Sequence, residues 1–332
     1  MLHYDKNTDT YLNSKNTTVQ VVDFGGVSGI DYIHEYPFGI RGGPGFYRYI
    51  KLAQERGYVV GKDLFGAPYD WRYGIFLNDT FWQSFSELIE NSVNINGEKA
   101  SIHAHSFGCV LTHYFLTHHV TEEWKSQYIQ NVVLVGPAFS SSPMAMNFLS
   151  PQKIFGIRLT PLENLARSLP SLYHFMPNLE MFGDIDIVKT DSRTYKLSEI
   201  ENFALDYNNY TEEQIITMKK GIKLSREAPK PINANTFIIY NSAMKTGLVM
   251  EYKNGKLKFD DAKGDAVVTS HGIDWICKNW KMEHQLKCVD LNQTKNAFHH
   301  KNLVANDVVI NMALDWALGS SEKNAKTLNE DL

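Results

Sequence analysis

The stretch that most constrains this chain runs from Lys99 to Val120, K-A-S-I-H-A-H-S-F-G-C-V-L-T-H-Y-F-L-T-H-H-V. Ala100 to Ala104 alternates small or apolar residues with polar ones, the period of a strand. His105-Ser106-Phe107-Gly108 follows, and Val110, Leu111, Tyr114, Phe115 and Leu116 then recur with the period of a helix. A strand, a tight turn with serine at its apex and a helix form the setting of a nucleophile elbow. The turn lifts the hydroxyl clear of the sheet, and the small residues Ala104 and Gly108 are expected to let strand and helix approach each other. The helix start aims backbone N–H groups, that of Phe107 first, at the place where an oxyanion would form. The motif differs from G-x-S-x-G only at Ala104, the next smallest side chain. The same residues also suit a serine that caps a helix after a buried strand, so the reading depends on what the rest of the chain offers Ser106.

The flanking pattern repeats strand and helix. T-V-Q-V-V-D-F-G-G-V (Thr18–Val27) reads as a strand, and R-G-G-P-G (Arg41–Gly45) as a Gly-rich loop. Phe46 to Gly57 reads as an amphipathic helix closed by Gly57. Asp63–Gly66 reads as a short strand, Ala67–Gly74 as a loop off its end, and Phe81–Ile95 as a helix capped by Asp79-Thr80. Ile129–Gly136 is a buried strand. Such alternation predicts a mostly parallel α/β sheet. From 141 to 231 the pattern changes to short helices, among them Pro161–Ser168 and Thr211–Leu224, without strong strands. This segment reads as an inserted, mainly helical cap whose apolar residues Met144, Met146, Phe148, Phe175 and Met176 form its core, line an acyl groove or touch a membrane. Alternation resumes at Thr236–Asn241, followed by a hairpin turning at Asn254-Gly255 and a last helix over Leu303–Leu318. The expected organisation is a first core part at 1–140, the cap at 141–231, a second core part at 232–320 and a polar tail at 321–332.

A net charge of −4 and an unclustered 33 Lys and Arg leave no nucleic-acid footprint. No apolar run approaches the roughly 18 residues that a membrane-crossing helix needs, and no signal peptide is visible at the start. Of three cysteines, Cys109 falls on the elbow helix as a small buried residue, while Cys277 and Cys288 are near enough to close a small loop. Their pairing would mark an oxidising compartment. Asn16, Asn78, Asn209 and Asn292 are glycosylation sequons.

Serine becomes a nucleophile when a base takes its proton and an acid holds the base. In α/β-hydrolases the acid follows the serine on a late strand, and the histidine precedes the last helix. Asp265, in K-G-D-A-V-V, and His300, in A-F-H-H-K-N-L-V, occupy those places. The competitors are Asp260 and Asp261 for the acid, and His299 and His271 for the base.

These residues together resemble the lecithin:cholesterol acyltransferase family of acyltransferases and phospholipases A. A-P-Y-D-W-R (Ala67–Arg72), A-H-S-F-G, L-V-G-P-A-F-S-S-S-P (Leu134–Pro143), G-D-A-V-V (Gly264–Val268) and H-K-N-L (His300–Leu303) are each similar to a segment of that family, in the same order. The resemblance implies an α/β-hydrolase core with a cap. It implies Ser106, Asp265 and His300 as the catalytic triad and the Phe107 N–H as an oxyanion donor. It also implies an acyl-enzyme that passes a fatty acyl group from a phospholipid to water, a sterol or another hydroxyl acceptor. No metal or cofactor is called for. The protein would be secreted, lysosomal or vacuolar, or peripherally bound to a membrane or lipid particle. Asp70, Trp71 and Arg72 would either shape the substrate site or form a buried structural pair under an aromatic cover. The sequence departs from the family in Ala104, in Val-Val where the family has Thr-Val, and above all at the start. The family's first strand and V-P-G-type loop, which supplies a second oxyanion donor, is expected to be missing. A second reading follows from that departure: an inactive, N-terminally truncated lipid-binding relic, or an incomplete gene product.

Overall fold

Four short strands pair in parallel as the central sheet of the computed structural model, which describes residues 1–36, 40–149, 153–154, 157–158, 160–254, 256–293 and 298–318. In spatial order they are Leu286–Asp290, Thr236–Tyr240, Ile129–Val135 and Ala100–His105. Val132, Val133, Leu134 and Val135 are all buried, as a strand covered on both faces must be. Alternate residues divide between two clusters. Val132, Leu134 and Ile238 pack against Trp82 and Ile89 of the helix Asp79–Asn96, Phe115 and Leu116 of the helix Phe107–His118, and Ile276 of the helix His271–Asn279. Val133, Val135, Phe237 and Ile239 pack against Tyr49, Leu52 and Ala53 of the helix Tyr47–Glu55 and against Val309, Ile310, Ala313 and Trp316 of the helix Asp307–Ala317. A parallel sheet with helices on both faces and an elbow at the end of one strand is an α/β-hydrolase core.

The helix boundaries follow local chemistry. Asn78, one residue before the expected Asp79-Thr80 cap, accepts from the Phe81 N–H, and Gly97 ends that helix with φ +68°. Thr211 and Gln214 form a reciprocal cap for the helix Glu212–Leu224. Asn306 caps the last helix, and His300–Ala305 is a separate 3-10 turn before it. Cys277 and Cys288 form a disulfide that ties the helix His271–Asn279 to the outer strand.

Several strand expectations give way. Thr18–Val27 forms no strand. Val19, Val21 and Val22 are exposed, and Asp23, at φ +57°, winds the chain into a turn whose carboxylate accepts from the Ser28 N–H and hydroxyl. Strand-forming side chains cannot make a strand without an edge to pair with. Asp63–Gly66 contributes only the single bridge between Val60 and Leu64. The Gly-rich run at Arg41 is not a loop: Ile40–Pro44 pairs with Tyr32–Tyr36.

The segment 141–231 also holds strands. Asp186–Thr190 and Thr194–Lys196 join the hairpin Met244–Lys253 and Lys256–Gly264 in a second four-stranded sheet, with Met250 beside Val188. Buried Ile187, Val188 and Met250 pack there with Phe203, Met218 and Ile222 of the cap helices. The hairpin turn includes Asn254 at φ +50°; Gly255 and the polar tail from 319 lie outside the described residues, as do the side chains of Met144, Met146 and Phe148. Among the described residues, the elbow strand Ala100–His105 has a sheet neighbour on one side only, and Ser101, Ile102 and His103 are half-buried.

Candidate active site

Ser106 stands at the end of the elbow strand with φ +54° and ψ −121°. A non-glycine residue there carries strain of about 1–3 kcal/mol, which the surroundings must over-determine. They do so with three main-chain hydrogen bonds. The Ser106 N–H donates to the Val135 carbonyl at 3.1 Å, while the Ser106 carbonyl accepts from the N–H groups of Cys109 at 3.1 Å and Ala138 at 3.2 Å. The helix Phe107–His118 begins at once, so the Phe107 N–H is the first of the helix donors that have no intrahelical acceptor. The expected close approach at Gly108 is not the reason for that glycine. A Cβ there would meet the Ala104 Cβ at 3.9 Å and the Tyr69 hydroxyl at 3.8 Å, both ordinary contacts.

Asp265 and His300 come to this serine from the second half of the chain. His300 Nε2 lies 2.7 Å from Ser106 Oγ, and His300 Nδ1 lies 2.6 Å from Asp265 Oδ2. A carboxylate only accepts, so Nδ1 carries the proton and Nε2 is left to accept from the serine. Asp265 and His300 are both buried. Asp265 Oδ1 accepts from the N–H groups of Val267 at 3.1 Å and Val268 at 2.7 Å. The acid's tight turn places Ala266 at φ +76° and is pinned to neighbouring elements. The Ala266 N–H donates to Thr246 Oγ1 at 2.9 Å, Ser140 Oγ lies 2.7 Å from Thr269 Oγ1, and the Thr269 N–H donates to the Ser141 carbonyl at 2.9 Å. Ser140 and Ser141 thus fasten the loop after Ile129–Val135 to the loop that carries Asp265. Gly136, at φ +52°, clears the space beside His300. A Cβ there would stand 2.8 Å from Leu303 Cδ1 and 3.3 Å from His300 Nδ1.

The competitors lie in other contacts. Asp260 pairs with Lys189 at 3.1 Å and Asp261 with Lys245 at 3.5 Å, both at the surface. His271 Nε2 bonds the Met181 carbonyl at 2.9 Å, and His299 has its Nδ1 buried without a partner. Asp70 and Arg72 form a two-pronged pair. Arg72 Nε donates to Oδ1 at 2.9 Å and Nη2 to Oδ2 at 2.6 Å, and Nη2 also reaches Asn13 Oδ1 at 2.6 Å. Trp71 does not cover them, being 52% exposed; the Arg72 guanidinium lies over the Tyr73 ring instead. Phe175 and His174 pack at a tilt against the Phe107 ring, and His174 Nε2 accepts from the Ile75 N–H at 3.3 Å. Met176 is buried in the cap core. Burial pushes the His174 imidazole down to about 4.

One residue at the site was visible in the sequence only as part of the elbow motif. His105 Nε2 lies 3.1 Å from the His300 carbonyl, and the two rings lie 4.8 Å apart. Burial, with the neighbouring His300 next in importance, pushes His105 down to about 3. The one signal available was position: a polar side chain directly before the serine, at the end of a buried strand.

A family model for lecithin:cholesterol acyltransferase matches residues 1–260 of this chain. The chain belongs to that family. Its relatives include lecithin-cholesterol acyltransferase-like 1 of rice, 27% identical over 70% of this chain and 52% of that protein. The Arabidopsis protein of the same name is 24% identical over 81% of this chain and 66% of its own length. The bovine lysosomal phospholipase A and acyltransferase is 24% identical over 76% and 62%. The chain thus spans about half to two thirds of the length of these acyltransferase-family relatives. Ser106 falls inside the matched stretch, and Asp265 and His300 beyond it, so the match of the family model does not reach these two.

Proposed function

We propose that the chain is a serine-dependent lipid acyl-transfer enzyme, a phospholipase A or an O-acyltransferase. The observation that carries this reading is the continuous run of hydrogen bonds from Ser106 Oγ through the His300 ring to Asp265, at 2.7 and 2.6 Å, on a strained elbow in a chain of this family. Ser106 attacks the carbonyl carbon of a phospholipid acyl ester as His300 Nε2 takes the hydroxyl proton. Asp265 holds the imidazole and stabilises its cation, and the Phe107 N–H donates to the oxyanion. The C–O bond to the glycerol breaks, His300 returns the proton to that oxygen, and the lysophospholipid leaves an acyl-serine. Water or a hydroxyl acceptor such as a sterol then attacks, with His300 again as base. Family membership supports the lipid substrate, and a disulfide between Cys277 and Cys288 suits a secreted or lysosomal setting.

Covalent labelling by a fluorophosphonate probe tests the serine. The parent chain is expected to label and Ser106→Ala to be silent; equal labelling of both would refute the mechanism. Phosphatidylcholine vesicles with and without cholesterol then separate release of free fatty acid from sterol ester formation. A folded chain that binds these vesicles yet never labels would favour the lipid-binding relic.

A further inference from the structure

We propose that His105 is a positioning residue, which sets the separation of Ser106 Oγ and His300 Nε2 through one hydrogen bond to the His300 carbonyl. This inference deepens the triad reading above and rests on it.

His300 is anchored twice to the loop of the acid: its N–H donates to the Asp265 carbonyl at 3.0 Å and its ring to Oδ2 at 2.6 Å. Neither bond refers to the elbow. The loop of Asp265 is fastened to the loop after Ile129–Val135 through Ser140, Ser141 and Thr269, which ties the base to the elbow indirectly but sets no direct distance between the base and the serine. The bond between Ser106 and His300 cannot do this either, because it is broken in every reaction cycle. Packing sets one limit, since Leu303 and His300 come up against the Cα of Gly136. A direct attraction on the other side comes from the elbow itself: Nε2 of His105, the residue before the nucleophile, lies 3.1 Å from the His300 carbonyl.

The chemistry of the contact fits a fixed strut. A carbonyl only accepts, so His105 carries its proton on Nε2 and donates. Burial disfavours a charge on the ring, so His105 makes this bond as a neutral donor. Phe46 meets the His105 ring edge-on at 6.5 Å between centroids.

The test compares three variants by the rate and saturation of fluorophosphonate labelling, with the folded fraction followed by thermal unfolding. His105→Gln places an amide N–H at the reach of Nε2, His105→Asn places one too short, and His105→Phe keeps a ring without a donor. A displacement on the order of 1 Å costs about 10²-fold. The Phe and Asn variants are therefore expected to lose about 10–100-fold in maximal labelling rate with half-saturation within about twofold, and Gln to recover to within about threefold of the parent. His105→Phe at the parent rate, or His105→Gln as slow as Asn, overturns the proposal. If the Phe variant fails to fold, the contrast between Gln and Asn decides alone. Labelling of Ser106→Ala refutes the triad reading and this one with it, whereas a silent Ser106→Ala beside a fully active His105→Phe refutes only the role of His105.

Discussion

Replacing Asp265 with Asn exchanges one oxygen for an NH₂ and leaves the shape of the site unchanged. The direction in which the amide settles follows from its neighbours. Oδ1 accepts from two main-chain N–H groups, Val268 at 2.7 Å and Val267 at 3.1 Å. Turning the NH₂ toward them would set donors against donors in a buried place, at about 1–3 kcal/mol for each group left without an acceptor. The amide oxygen therefore stays on Val267 and Val268, and the NH₂ faces His300 Nδ1. It can only donate, so Nδ1 must become the acceptor and the imidazole proton moves to Nε2. That nitrogen, 2.7 Å from Ser106 Oγ, then has no lone pair with which to take the serine proton. Inverting the tautomer in this way costs about 10⁴-fold in turnover where it has been isolated, or about 5.5 kcal/mol of barrier. Stability should change far less, because three hydrogen bonds remain and only their charge assistance is lost. A loss of about 1 kcal/mol corresponds to a fall of roughly 2–4 °C in Tm. Labelling rate, fatty acid release from phosphatidylcholine vesicles and Tm are to be measured on the same preparation. An Asp265→Asn protein within tenfold of the parent would refute the assigned tautomer and the role of Asp265.

Three further outcomes are expected. Arg72→Ala leaves the part-buried Asp70 carboxylate without its paired cation and removes a bond to Asn13, so Tm should fall by an amount corresponding to about 2–3 kcal/mol while the folded protein labels within about threefold of the parent. Lost labelling at an unchanged Tm would instead place Arg72 in the substrate site. Opening the Cys277–Cys288 disulfide, which closes a loop with a separation of 11 residues, should cost about 2–3 kcal/mol; Cys277→Ser with Cys288→Ser melting at the parent temperature would contradict this. Burial pushes His103, His113 and His174 down to about 4, below the ~6.5 of an unfolded histidine. Between those values the unfolded chain takes up protons that the folded chain refuses, so stability is full above pH ~6.5 and falls as pH drops toward 4. A urea midpoint at pH 5 equal to or above that at pH 7 would refute this.

The elbow was legible because its information is local. Small residues around Ser106, a strand period before it and a helix period after it lie within one short stretch. The helices Tyr47–Glu55, Asp79–Asn96 and Asp307–Ala317 were legible for the same reason: apolar period, caps and closing glycines act over a few residues. Asp265 and His300 could be chosen by order along the chain, and the fold brings both to Ser106. The strands were harder. T-V-Q-V-V has the composition of a strand and lies exposed without one, while D-I-V-K-T, in a stretch read as helical cap, pairs with a hairpin beyond the core strand Thr236–Tyr240.

By itself the sequence determined the strand, turn and helix of the elbow, the apolar faces of the main helices and which side chain stands at the elbow's apex. These follow from backbone sterics and from hydrogen bonds between near neighbours. Tertiary structure alone decided which strands share a sheet, that the Asp70–Arg72 pair leaves Trp71 exposed, that Cys277 meets Cys288 and that the ring of His105 reaches the carbonyl of His300. Each of these depends on distances between groups far apart along the chain, and on which donor is left facing which acceptor once water is excluded, and no local preference encodes either.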